Sequence, residues 1–147
     1  MKTTQLPLIS GEKIKDYIPQ REPIIMVDAF YGIENGKSFS GLTVAEDNIF
    51  VENGCLNEAG IVEHIAQSCA LRVGYECRKK NEPVPVGYIG ALKNIIINVL
   101  PTIGQKLVTE VAVVQEIFDC SLVAVNVKTG EKSLASGEMK IFLMKNA

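Results

Sequence analysis

The sequence is poor in the residue types that most readily announce a function. It has one histidine, His64, and no Ser-His-Asp triad stands out around it. The same scarcity leaves no H-E-x-x-H metal motif, and no glycine loop of the phosphate-cradling kind is present. It lacks a basic excess. Fifteen Lys and Arg against seventeen Asp and Glu give a formal net charge of -2, which argues against a nucleic-acid surface. The four cysteines, Cys55, Cys69, Cys77 and Cys120, show no C-x-x-C spacing, so buried free thiols are expected rather than a disulfide framework or a zinc site. No apolar run follows the initial MKTTQ, and none elsewhere is long enough to cross a bilayer. A cytoplasmic, soluble protein with no membrane or nucleic-acid partner, no metal and no cofactor is the expectation.

What is present is a well-patterned globular chain. Its 147 residues are 47% hydrophobic, enough for one core without staples, and no repeat or linker-like shift divides it. A single domain spanning 1–147 is expected. Pro23 to Ile33, PIIMVDAFYGI, has the β-branched and aromatic content of a buried strand. Glu34-Asn35-Gly36-Lys37 supplies hairpin chemistry into SFSGLTVAE, and the less regular DNIFVENGCL follows.

A long helix is predicted next. Asn57 is a good N-cap, Glu58 suits the first turn, and Arg78, Lys79 and Lys80 suit the last before NEPVP stops the run. Val62, Ile65, Ala66, Cys69, Ala70 and Val73 recur at helical spacing as its expected buried stripe. Beyond Pro85, four segments read as strands: GYIGALKNIIINVL, QKLVTEVAVVQEI, CSLVAVNVK and KSLASGEMKIFLM. The last two alternate with period two, as antiparallel strands with one buried face do. The fold class is therefore α+β: a curled antiparallel sheet around one long central helix.

Chemistry concentrates in NEAGIVEHIAQSCA, Asn57 to Ala70. Free N–H groups at a helix start can polarise a carbonyl oxygen, and Gly60 would let substrate approach them. The same glycine could equally serve close packing. Glu63 lies on a mostly apolar helix, where burial would raise its pKa toward acid–base values, and Gln67 at i+4 could hydrogen-bond it. A solvated or salt-bridged carboxylate is the competing reading. His64 points roughly 100° away from Glu63 around the helix, so it reads as a packing or interface residue rather than a catalytic partner.

Several stretches resemble the β-hydroxyacyl-acyl carrier protein dehydratases, a hot-dog-fold family. Pro19, Gln20, Arg21, Pro23 and Val27-Asp28 follow that family's opening motif or nearly so. Glu63, Ala66 and Gln67 fall in place on its central-helix motif, with Gly60 two positions late, and GYIGALKNIIINVLPTIGQKL resembles the next strand and turn. The resemblance implies a helix wrapped in a sheet, dimers joined edge to edge, and acyl-thioester sites at the interface. In the family, a histidine before the helix and the helix glutamate of the other subunit together dehydrate a β-hydroxyacyl thioester.

The resemblance gives Glu63 the catalytic role, with Gly60 and Gln67 binding substrate beside it. The family histidine has no counterpart, because its place falls within Asn48 to Leu56, where none occurs. The stretch where the family carries basic residues reads Ile95-Ile96-Ile97-Asn98-Val99. Three readings follow. The first is a dehydratase-like protein for β-hydroxyacyl thioesters on acyl carrier protein or coenzyme A, in fatty-acid or polyketide-type biosynthesis. It would be a homodimer, or a heterodimer with a related subunit that supplies the histidine. The second is an acyl thioesterase using Glu63, and the third a non-catalytic acyl-binding subunit.

Overall fold

The computed structural model describes residues 5–144, the side chains of residues 86 and 88 excepted. The expectation about an N-terminal leader falls almost wholly outside that range. In chain order the elements are β1 (Ile9–Ser10), a 3-10 turn (Gly11–Asp16), β2 (Ala29–Glu34), β3 (Lys37–Thr43), β4 (Val51–Glu52) and β5 (Cys55–Leu56). Then come α1 (Glu58–Lys79), β6 (Val86–Ile97), β7 (Lys106–Ile117), β8 (Cys120–Thr129) and β9 (Lys132–Met144).

Helix α1 forms where its caps dictate. Asn57 is extended, and its Oδ1 accepts the Gly60 N–H at 2.9 Å. Glu58 occupies the first turn and Arg78 and Lys79 the last, matching the helix dipole. Asn81 then turns the chain through a positive φ of 56°.

The helix buries more of its circumference than one stripe. Ile61, His64, Ile65, Gln67, Ser68, Leu71 and Arg72 are all buried, whereas Val62, Ala66, Ala70 and Val73 of the expected stripe are only half-buried. The reason is topological. A sheet that curls around the helix covers several faces at once, and the face carrying Ala66, Ala70 and Val73 borders a cavity instead.

One antiparallel sheet runs in the order β1-β2-β3-β7-β8-β9-β6. The β2–β3 hairpin turns at Asn35 and Gly36, both at positive φ, as a two-residue loop requires. On β8, Val123, Val125 and Val127 face the core, and on β9 Met139 and Ile141 do so, as the period-two pattern demands. Together with Met26, Leu42, Leu56, Ile61, Ile65, Leu107 and Val111 they form the core between helix and sheet. Strand β6 pairs only with β9, which leaves its other long edge unpaired among the described residues.

Two segments differ from expectation. Residues 24–28 are not strand; pairing with β3 begins at Ala29. Side chains of α1 have taken their backbone groups. Met26 O accepts from His64 Nδ1, Met26 N donates to Gln67 Oε1, and Ile24 O accepts from Gln67 Nε2. The passage at 47–56 contains a small hairpin, β4–β5, turning on Asn53 and Gly54. Of the cysteines, all free, only Cys69 is fully buried; Cys55, Cys77 and Cys120 are half-buried because they lie at the ends of their elements.

Candidate functional site

Beside α1 lies a cavity of about 300 Å³. The helix contributes Glu63, Ala66, Cys69, Ala70 and Val73 to its wall. The facing wall is Gly87 and Ile89 of β6 with Met139, Ile141 and Leu143 of β9, and Tyr17, Pro19, Gln20, Val84 and Pro85 close the remainder. Tyr17, Pro19, Val84 and Pro85 also border a wider surface groove of about 680 Å³, rimmed by Asp16, Arg78, Asn81 and Glu82. An apolar chamber with a few polar groups and a mouth to solvent suits an acyl chain whose head must stay polar.

Glu63 is fixed within this wall. Gln67 Nε2 donates to its Oε1 at 2.8 Å and also to Ile24 O at 2.9 Å, while Gln67 Oε1 accepts from Met26 N at 2.6 Å. Gln67 is completely buried, so it is a rigid bridge between the 24–26 backbone and the carboxylate. The structure thus brings Glu63 and Gln67 together. Gly60 stands apart: it does not border the cavity, and its N–H is held by Asn57. A Cβ there would lie 2.7 Å from both Leu56 Cδ1 and Phe50 Cβ, so its smallness serves packing.

His64 faces the opposite way into the core and is 0% exposed. Its Nδ1–H donates to Met26 O at 2.6 Å, and its Nε2 accepts from the Thr109 hydroxyl at 2.7 Å. Burial lowers its pKa from 6.5 to about 4, partly opposed by the Met26 hydrogen bond. A neutral imidazole with both nitrogens engaged and no path to the cavity pins helix to sheet. The residues at 48–56, where the family histidine would fall, build the β4–β5 hairpin and its approach, and none borders the cavity.

The opening motif has a structural logic too. Arg21 donates from Nη1 to Ile18 O and Gln20 O, both at 2.8 Å, and from Nη2 to Lys15 O at 3.1 Å. That guanidinium gathers three carbonyls and sets the loop that carries Tyr17, Pro19 and Gln20. Asp28 Oδ2 accepts the Thr43 N–H at 2.8 Å; burial raises its pKa, against that bond and the Lys106 charge. Sequence reasoning did not place Tyr17 or Gln20 at the site. Gln20 lay in the motif as a bare polar position, and only the fold carries it to the helix.

Comparison with solved structures returns this architecture. One is a chain of the dehydratase heterocomplex ApeI:P from Xenorhabdus doucetiae, 16% identical, with 97% of this chain and 93% of that one covered and a TM-score of 0.83. An uncharacterised protein from Pyrococcus horikoshii is 17% identical, covered at 97% of both chains, with a TM-score of 0.68. A hypothetical thioesterase with coenzyme A from Streptococcus pneumoniae is 11% identical over 80% of this chain and 85% of that one, with a TM-score of 0.62. These likenesses establish the hot-dog fold. Comparison with curated proteins gives no match. The family profile described as ApeP dehydratase covers residues 12–147, and this chain accordingly belongs to the ApeP-like dehydratase family.

Proposed function

We propose that this chain is the glutamate-bearing subunit of a dimeric dehydratase acting on β-hydroxyacyl thioesters. The carrier would be acyl carrier protein or coenzyme A, in fatty-acid or polyketide-type biosynthesis. One observation carries the reading: a carboxylate locked by Gln67 in the wall of an apolar, acyl-sized cavity that contains no imidazole. Dehydration removes the α-proton of the substrate, breaks the β-carbon–oxygen bond and forms the α,β double bond, while the departing hydroxyl takes up a proton and leaves as water. Two proton-handling groups serve this best, one accepting and one donating. Glu63 supplies one, with Gln67 as its positioning residue. A histidine-bearing subunit of related fold supplies the other.

The edge of β6, unpaired among the described residues, supports such a partner. It is a twelve-residue strand at the sheet's end, with Ile89, Leu92 and Ile96 46%, 46% and 56% exposed. A long apolar edge of this kind calls for pairing with another chain. Because β6 also walls the cavity, a subunit docked there would reach the mouth of the site. The heterocomplex ApeI:P, as named, pairs two different chains, and the proposal extends that arrangement to this protein.

A second reading, hydrolysis of the thioester with Glu63 activating water, is favoured by the isolation of the carboxylate from any histidine. The two are separated by product. With β-hydroxyacyl thioesters and the native assembly, enoyl thioester is expected and free thiol is not. Glu63→Gln should lower that rate by roughly 10²- to 10⁴-fold. An unchanged rate would remove Glu63 from the site, and thiol release would replace dehydration by hydrolysis.

A further inference from the structure

Elimination and hydrolysis share one requirement: the carbonyl oxygen of the thioester must be held by a donor as negative charge develops on it. The N–H groups at the start of α1 do not meet it here. That of Gly60 goes to Asn57 Oδ1 and that of Ile61 to Asn57 O. The helix enters the cavity wall only at Glu63, so Glu58, Ala59 and Gly60 do not border the chamber. The donor has to come from elsewhere in the wall.

Among the polar residues that border the cavity, Gln67 is absent, its amide already holding three partners behind the wall. Cys69 offers a weak thiol donor. Tyr17 stacks near Tyr75, with the Arg78 guanidinium 5.8 Å from its ring centroid, at the border with the outer groove. Gln20 is different. Among the described residues neither end of its amide has a hydrogen-bond partner, and its Oε1 is sealed from solvent without a donor. The backbone beneath it is held by the Arg21 clamp. The NH2 end is not sealed, so it is a strong side-chain donor at an otherwise largely apolar cavity wall, carried on a braced loop, that no described protein group already engages.

We propose that Gln20 supplies the side-chain N–H that holds the carbonyl oxygen of the bound acyl thioester, in place of the helix-start N–H groups. With the amide oxygen turned into the protein, the NH2 is the end left for the ligand. It neutralises charge on the carbonyl oxygen while Glu63 works on the carbons beyond it. This assignment rests on the acyl-thioester reading of the cavity and adds to it the identity of the group that binds the thioester head.

The test uses a pair of inert pantetheine ligands of equal length. In one, a methylene replaces the thioester sulfur and the ketone remains; in the other the ketone is reduced to methylene as well. The ratio of their affinities isolates the carbonyl oxygen, and comparing that ratio between wild type and Gln20→Met isolates its partner. The preference for the ketone is expected to fall on the order of tenfold, one hydrogen bond's worth, in Gln20→Met. Gln20→Glu, which keeps the shape and replaces the NH2 by an oxygen, should lose it as well, whereas Tyr17→Phe should keep it. An unchanged ratio in both Gln20 variants, or loss of preference in Tyr17→Phe alone, would overturn the assignment and leave the acyl-thioester reading standing. If wild type binds neither ligand, that reading falls with it.

Discussion

Two neighbouring residues with different fates show how α1 divides its side chains between cavity and core. Glu63 and His64 are adjacent in sequence, yet helical geometry sends one to the cavity and the other to the core. For His64 the consequence is measurable. Its folded pKa lies near 4 against an ordinary 6.5, so above pH 6.5 neither state carries the proton. Between 6.5 and about 4 the unfolded chain takes up a proton that the folded chain refuses. Stability contributed by this residue is therefore lost as pH falls through that window, at up to about 1.4 kcal/mol per pH unit, and the loss levels off below it. Urea unfolding across this range should show the slope in wild type and a flatter one in His64→Gln. Equal slopes would mean that His64 is not held neutral in the folded state.

The cysteines differ in the same way. Burial pushes the Cys69 thiol up to about 12, with the Arg72 charge opposing, so it is not ionised at neutral pH although it borders the cavity. Iodoacetamide followed by peptide mass mapping should leave Cys69 unmodified in the folded protein and alkylate it after denaturation. Rapid native labelling at Cys69 would show that the thiol ionises despite its burial.

At the scale of elements, α1 is both the scaffold of the site and a tightly packed object. Gly74 illustrates the competition. Alanine in a helix interior is normally favoured over glycine by about 1 kcal/mol. Here an added Cβ would stand 2.0 Å from the Tyr17 carbonyl oxygen, which is backbone and cannot swing aside. Overpacking of this kind costs about 1–3 kcal/mol, so it outweighs the propensity gain. Gly74→Ala should lower the Tm, and a raised Tm would show that the 3-10 segment can retreat. Because Tyr17 borders the cavity, the same variant should also disturb ligand binding.

The legibility of these elements in the sequence divides by cause. The helix was readable because Asn57, Glu58, Arg78 and Lys79 mark its ends locally, and β8 and β9 because their residues alternate with period two. The segment 24–28 misled because its apolar composition suits a strand while its backbone is engaged by His64 and Gln67, forty residues away. The β4–β5 hairpin carried a signal that went unused: Asn53-Gly54 is the same dipeptide that marked the turn at Asn35-Gly36. The Glu63–Gln67 contact was foreseeable from i,i+4 spacing, but the cavity's other walls were not. Gln20, Pro85 and Met139 meet only through the closure of the sheet around the helix.

At the scale of the whole molecule, an open sheet edge and the cavity lie side by side. A hot-dog sheet ends in a β6 edge, unpaired among the described residues, with exposed isoleucines and leucine, and β6 also walls the cavity, which holds a carboxylate but no imidazole. If the missing histidine comes from a partner, activity belongs to the pair rather than to this chain. The decisive measurement is dehydration of a β-hydroxyacyl thioester by this chain alone, by a histidine-bearing dehydratase subunit of the same family alone, and by their mixture. Each is assayed with wild type and Glu63→Gln. Dehydration in the mixture that exceeds the sum of the separate rates, and that disappears when Glu63→Gln replaces the wild-type chain, is the predicted result. A mixture that merely sums its parts, or that keeps its full gain with Glu63→Gln, would contradict the account.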